Sequence, residues 1–128
     1  MKKLLTTLSL MLAVTLMLLG GVVQAEVKYT IGKMIDSYHR DAGMNKEVDR
    51  DINNMGKGIF AVITDQIVNK QPPSFCLPSS ARVNEIPYVS VFMSYVAKYP
   101  KIRSEPVNYM ALNLHEGLKE IFPCQNLK

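Results

Sequence analysis

The sequence predicts an all-α fold, a small bundle of four or five helices closed by one disulfide. Apolar residues recur at helical three-four spacing through most of the chain, and no alternating strand pattern of useful length occurs. Proline and glycine clusters punctuate that periodicity at clear intervals. Only two cysteines, Cys76 and Cys124, are present, and the context of the chain sets how they are read.

That context comes from the amino terminus. Lys2 and Lys3 precede an apolar run from Leu8 to Leu19, Gly20-Gly21 breaks it, and "VQA" offers the small residues of a cleavage site, so cleavage is expected after Ala25. No cysteine stands at that junction to carry a lipid. Leu4 to Val23 is nearly long enough to be an uncleaved membrane anchor, but the compact apolar core and its glycine break favour a cleaved leader, hence a periplasmic chain with no membrane association. Removing 25 of 128 residues leaves 103, one small domain at 26–128. With Lys2 and Lys3 gone, two of the 15 basic residues, the balance against 11 acidic residues falls to +2. The remaining cations do not cluster, which argues against a nucleic-acid partner. In an oxidising compartment two thiols in a small domain pair, so Cys76 and Cys124 are expected to form a disulfide. The bridge closes a loop of about 49 residues and adds roughly 4 kcal/mol on the chain-entropy model.

The first helix is expected over Val27 to Arg40, with Ile31, Met34, Ile35 and Tyr38 on one stripe. "DAGMN" ends it, with Gly43 as a left-handed cap and Asn45 starting the next helix. The second runs over Lys46 to Lys70 on Val48, Ile52, Met55, Ile59, Phe60, Ile63 and Ile67. Its second half, "IFAVITDQIV", is apolar almost all round, as expected of a helix enclosed by neighbours. Gly56 and Gly58 each disfavour a helix by about 1 kcal/mol, which implies a close backbone approach or a bend. The third helix is expected from near Asn84, with Pro87 in its first turn and Ile86, Val89, Phe92, Met93 and Val96 buried. The fourth is expected from a Ser104 cap with Pro106 in its first turn, burying Val107, Met110, Ala111, Leu114, Leu118 and Ile121. Pro123 stops it before Cys124, and the disulfide should clamp the last two helices as an antiparallel pair.

Candidate chemistry is sparse. Cys76 with His115 would supply a nucleophile and base, but a disulfide-bonded cysteine is no nucleophile. His39 and His115 lie on different helices, so neither a metal site nor a cofactor is expected; His39 reads as a solvated helix end and His115 as a partly buried surface residue. Asp49, Asp51 and Asn53 imitate the opening of a calcium loop, yet Asn54 replaces its glycine and Phe60 its final glutamate. Glu85, Glu105, Glu116 and Glu120 show no enclosure that would separate their pKa values for acid-base work. Met34, Met44, Met55, Met93 and Met110 could line an adaptable groove, but at helical spacing they are read as core filling. No catalytic residue is expected, and the chain should act by binding. The candidate contact loop is "YPKIRSEP", where Tyr99, Lys101, Ile102 and Arg103 offer an aromatic, an aliphatic and two cations, against the plainer reading of an ordinary exposed loop. "RDAGMNKE" is a second candidate.

One series is more specific. "GKGIFAVITD" is followed by "FCLPSS", by a helix closing in "YVAKYP", and by "EPVNYMALNLHEGLKEIFPC". Cys76, Pro78, Tyr95 or Tyr99, Pro100, Pro106, Leu114, Leu118, Phe122, Pro123 and Cys124 carry it. This order resembles the Rap/Tai family of immunity proteins over about 70 of the 103 residues that follow the leader. The chain lacks the further cysteine pair that many relatives carry in their first half. The resemblance implies an exported, all-helical, often homodimeric protein. Its partner would be a cognate effector of type VI secretion, a peptidoglycan amidase that it blocks in the periplasm. The alternatives from the residues alone are a small periplasmic stress or chaperone-like binding protein, and an enzyme built on His39 or His115.

Overall fold

Thr30 opens the first helix, its Oγ1 accepting the Lys33 N–H at 3.3 Å. This is a computed structural model that describes residues 29–124; the expected leader and its cleavage site lie outside the described residues. Helix α1, Ile31–Arg40, buries Ile31, Met34 and Ile35 as the stripe required. It begins later than Val27 because Tyr29 and Thr30 are extended: Thr30 forms an antiparallel bridge with Pro106, and the Val107 N–H donates to the Tyr29 carbonyl at 3.0 Å.

Asp41, not Asn45, starts the next helix. Its backbone is extended, and its Oδ1 accepts from the Gly43 N–H at 2.8 Å and the Met44 N–H at 3.4 Å. An aspartate placed two and three residues before free amides satisfies two of the helix's orphan donors. Gly43 therefore lies inside the first turn of α2, Ala42–Val68, and no described glycine has positive φ. The left-handed residue is instead Lys70, φ 57°, just past the far end.

Among the two glycines of α2, Gly56 is explained and Gly58 is not. A Cβ on Gly56 would stand 2.2 Å from Cδ1 of the Tyr88 ring, whereas one on Gly58 would meet nothing within 4 Å. Gly56→Ala is expected to destabilise by about 1–3 kcal/mol through overpacking against a buried ring. Gly58→Ala should stabilise by about 0.5–1 kcal/mol, because only helix propensity changes. Urea unfolding of the two variants checks the opposite signs.

The second half of α2 departs from expectation. Ile63 is its only buried residue beyond Gly56, and Val62, Ile67 and Val68 are 59%, 59% and 72% exposed. The other helices cover a single stripe of it, so the apolar surround meets solvent.

After α2 the chain tucks Phe75 into the core, makes a 3-10 turn at Val83–Glu85, and enters α3, Tyr88–Lys98. This helix does not start near Asn84. Ile86 stands before Pro87 and is held extended, ψ 124°, since the proline ring disfavours helical backbone at the preceding residue. The same effect holds Glu105 before Pro106 at ψ 148°, so the fourth helix is not capped by Ser104 either. Ser104 Oγ donates to the Lys101 carbonyl at 2.7 Å within a 3-10 turn, Pro100–Ser104. A second such turn, Val107–Tyr109, leads into α4, Met110–Ile121. Ala111 and Ile121 are exposed, while Asn113 and Gly117 join the buried face.

Helices α3 and α4 bring like ends together rather than forming the expected antiparallel pair. Val91 and Tyr95 lie over Gly117, and Lys98 meets Glu120 at 2.7 Å. Residues 99–109 form two short turns and an extended dipeptide, and this connection carries the chain back along α4. Cys76 and Cys124 form the disulfide, and beside it the Cys76 N–H donates to the Phe122 carbonyl at 2.9 Å. No helix among the described residues is long and apolar enough to cross a membrane.

Candidate functional site

The connection after α3 is held from three sides, which an ordinary exposed loop is not. Ile102 turns inward and is 7% exposed, so it serves as the segment's anchor and is not offered to a partner. Tyr99 remains 38% exposed, its ring lies against Tyr95 at 4.8 Å between centroids, and its hydroxyl donates to Glu120. Lys98 Nζ donates to the other Glu120 oxygen at 2.7 Å. On the opposite side Arg103 reaches Asp36 of α1 at 2.6 Å. The Arg103 carbonyl lies so close to Gly32 that a Cβ there would stand 2.8 Å from it. Glu105 continues the seam, its carbonyl accepting the Ile31 N–H at 2.9 Å and its carboxylate the Asn113 amide at 2.8 Å. Lys101 alone projects freely, with no side-chain partner among the described residues. The four candidate residues thus divide into an anchor (Ile102), two tethered but accessible groups (Tyr99 and Arg103) and one free cation (Lys101).

Mutual hydrogen bonding shifts the pair that closes this segment. The bond to Lys98, then that to Tyr99, holds the Glu120 carboxyl below its ordinary value. The bond to Glu120, then that to Tyr99, raises Lys98. The depressed carboxylate contributes stability above its unfolded pKa and loses it as pH falls through the folded one; the raised ammonium contributes below its unfolded pKa and loses it as pH rises through the folded one. The difference in melting temperature between the protein and Glu120→Gln should therefore be flat from about pH 5.5 to 9.5 and shrink below about pH 4 and above about pH 11. Thermal scans across that range check it. The pair lies at the solvent-exposed surface, so the difference itself will be small.

The histidines separate as their neighbours dictate. His39 is exposed at the end of α1, edge-on to Tyr38 at 5.5 Å. His115 is half-buried, its Nε2 2.7 Å from Ser74 Oγ and its ring 6.0 Å from Phe75. Ser74, His115 and Glu116 are the residue types of a hydrolytic triad. Glu116 lies 3.6 Å from His115 Nδ1, too far for a hydrogen bond, and as the next residue on the helix it is poorly placed to orient that ring. What the contact does is fasten the loop before Cys76 to α4. Sequence reading missed Ser74, since 41 residues separate it from its partner and nothing local marks it. Cys76 is bonded to Cys124 and carries no thiolate. Asp49 accepts the Tyr38 hydroxyl at 3.0 Å and Asp51 lies 3.5 Å from Arg50, so the calcium-like stretch is helix surface with its own internal partners. No group of three histidine, cysteine, aspartate or glutamate side chains gathers to hold a metal among the described residues.

No protein-family model, curated protein or solved structure matches this chain.

Proposed function

We propose that this chain is an exported immunity protein that binds and inhibits a peptidoglycan amidase delivered by type VI secretion, protecting the cell that makes it. The observation that carries the reading is the series from Cys76-x-Pro78 to Phe122-Pro123-Cys124, whose two ends meet in one disulfide at the edge of a four-helix domain. The rigid connection between α3 and α4 supports it further. An inhibitor that enters a cleft loses least entropy when its contact segment is already fixed. Tyr99, Lys101 and Arg103 are presented from such a segment, with Ile102 beneath them.

The test is to identify the gene adjoining the one for this chain and, where it encodes an amidase, to measure inhibition of that amidase. The purified protein should abolish peptidoglycan hydrolysis at a one-to-one ratio, and Lys101→Glu, which disturbs no internal contact, should weaken inhibition at least tenfold. If the protein neither binds that amidase nor slows it, the reading falls.

Homodimerisation belongs to the same proposal. The uncovered second half of α2 supports it: Val62, Ile67 and Val68 are exposed, a Cβ on Gly58 would meet nothing, and between Gly58 and Val68 the only charge is Asp65. A nearly neutral face tolerates its own copy. Light scattering should give a dimer that Val62→Glu converts to monomer; a wild-type monomer at about 100 μM would remove this part. The same face favours a second reading, a periplasmic chaperone-like protein that shields apolar clients. Failure to suppress client aggregation would exclude it.

A further inference from the structure

Four of the methionines converge. Met34 of α1, Met44 and Met55 of α2 and Met110 of α4 line one groove of about 350 Å³, with Val48 and Val107 between them. Met34 and Met110 are also core residues, at 3% and 4% exposure, whereas Met44 and Met55 are only partly buried and leave thioether surface at the opening. Met44, Glu47, Val48, Asp51 and Met55 are spaced as one face of α2, so the groove runs about 16 Å along that helix, three turns. Sulfurs that far apart cannot surround one ion. Unbranched, polarisable side chains along an open trench instead suit apolar side chains of varied shape.

The charge around the trench is one-sided. Its rim carries Glu47 and Asp51, one turn apart, and no lysine or arginine lines it. Glu47 has no partner among the described residues, and Asp51 has only a loose, exposed contact with neighbouring Arg50 at 3.5 Å. The opposite flank of α2 is the reverse: Arg50 and Lys57 line a hollow with Asn53, Asn54 and Asn84, and no carboxylate. An adjoining depression shares Tyr29 and Val107 with the trench and adds Glu105 and Tyr109. The two tyrosines are 45% and 46% exposed; Tyr29 lines the trench together with Glu47 and Asp51, and Tyr109 lines the depression together with Glu105. In a chain with an overall excess of positive charge, an apolar trench with an acidic, aromatic rim selects by charge as well as by shape.

We infer that this trench docks a cationic amphipathic helix of a partner protein. About three turns would lie against α2, apolar side chains at helical spacing on the methionines and lysine or arginine against Glu47 and Asp51. The surface is distinct from the Tyr99–Arg103 segment, and the inference stands whether or not the amidase reading does.

The probe is an 18-residue leucine-lysine amphipathic peptide, titrated into the purified protein carrying 13C-methyl methionine. The methyl signals of Met34, Met44, Met55 and Met110 should move and that of Met93, which does not line the trench, should stay. Glu47→Gln with Asp51→Asn, both surface changes that leave the fold intact, should weaken binding at least tenfold. A leucine-glutamate peptide of the same pattern should bind at least tenfold more weakly than the leucine-lysine one. Equal binding of the two peptides, equal movement of Met93, or no movement at millimolar peptide overturns the proposal. So does movement of the four signals on simple dilution, which would place a second copy in the trench. The proposal also fails if the four signals change in a chain starting at Tyr29, which would place residues 26–28 there.

Discussion

Replacing Cys76 and Cys124 by serine is expected to lower the stability of this protein by about 4 kcal/mol, the loop-closure entropy of a bridge spanning some 48 residues. For a domain of this size that corresponds to a fall in melting temperature of about 15–25 °C. It is also a large fraction of the roughly 5–15 kcal/mol that holds such a domain folded. The loss should concentrate at one end of the molecule. Cys76 is flanked by Phe75, which sits in the core, and by the backbone bond from Cys76 to Phe122; the Ser74–His115 contact lies just beyond. Without the bridge, these must hold the end of α4 against fraying, and hydrogen exchange there should accelerate before it does in α1. Urea unfolding with and without reductant measures the total. A change below about 1 kcal/mol would mean that packing around Phe75 fixes the terminus by itself.

Ile102→Ala is the second large effect. The residue is buried under a segment with no regular helix of its own, and deleting its side chain should destabilise by about 2–4 kcal/mol. The consequence for recognition is greater than for folding. With the anchor gone, Tyr99 keeps its contact with the Tyr95 ring, and Tyr99 and Arg103 keep exposed bonds to Glu120 and Asp36, which are individually weak. The segment should become mobile, and affinity for any partner that uses it should fall together with stability. Lys101→Ala, one residue away, should leave stability within about 0.5 kcal/mol. Equal stability losses for the two variants would contradict the inward placement of Ile102.

How much of this was legible in the sequence follows from the range of each interaction. The four helices, the core stripe of Ile31, Met34 and Ile35, and the pairing of two cysteines rest on periodicity and on chemistry that a short window or a simple count reveals. Helix starts were misplaced wherever a proline acted on the residue before it, as at Ile86 and Glu105, although that signal was present. Asp41 and Asn45 are both capping residue types, and only the extended backbone at Asp41 decides between them. The exposure of Val62, Ile67 and Val68 could not be read, because an apolar surround looks the same whether neighbours of the same chain cover it or not. The candidate segment was located, but its division into anchor and contacts depends on Asp36 and Glu120, 67 and 21 residues away from their partners. The trench was visible only as a set of methionines that included Met93, which does not line it; Glu47 and Asp51 lie one turn apart on α2, but their place on its rim needed α1 and the start of α4 to form the opposite wall.

The seam between Tyr29–Ile31 and Glu105–Val107 bears on the order of assembly. Its three links, Thr30 with Pro106, Ile31 with Glu105 and Tyr29 with Val107, join the earliest described residues to ones far later in the chain. A chain emerging from its amino end must leave this seam open until residues 105–107 have appeared, so α1 until then has only its contacts with α2 to hold it. During that interval the faces of Ile31, Met34 and Ile35 are open to water and to other chains, and slow emergence or crowding would be felt there first.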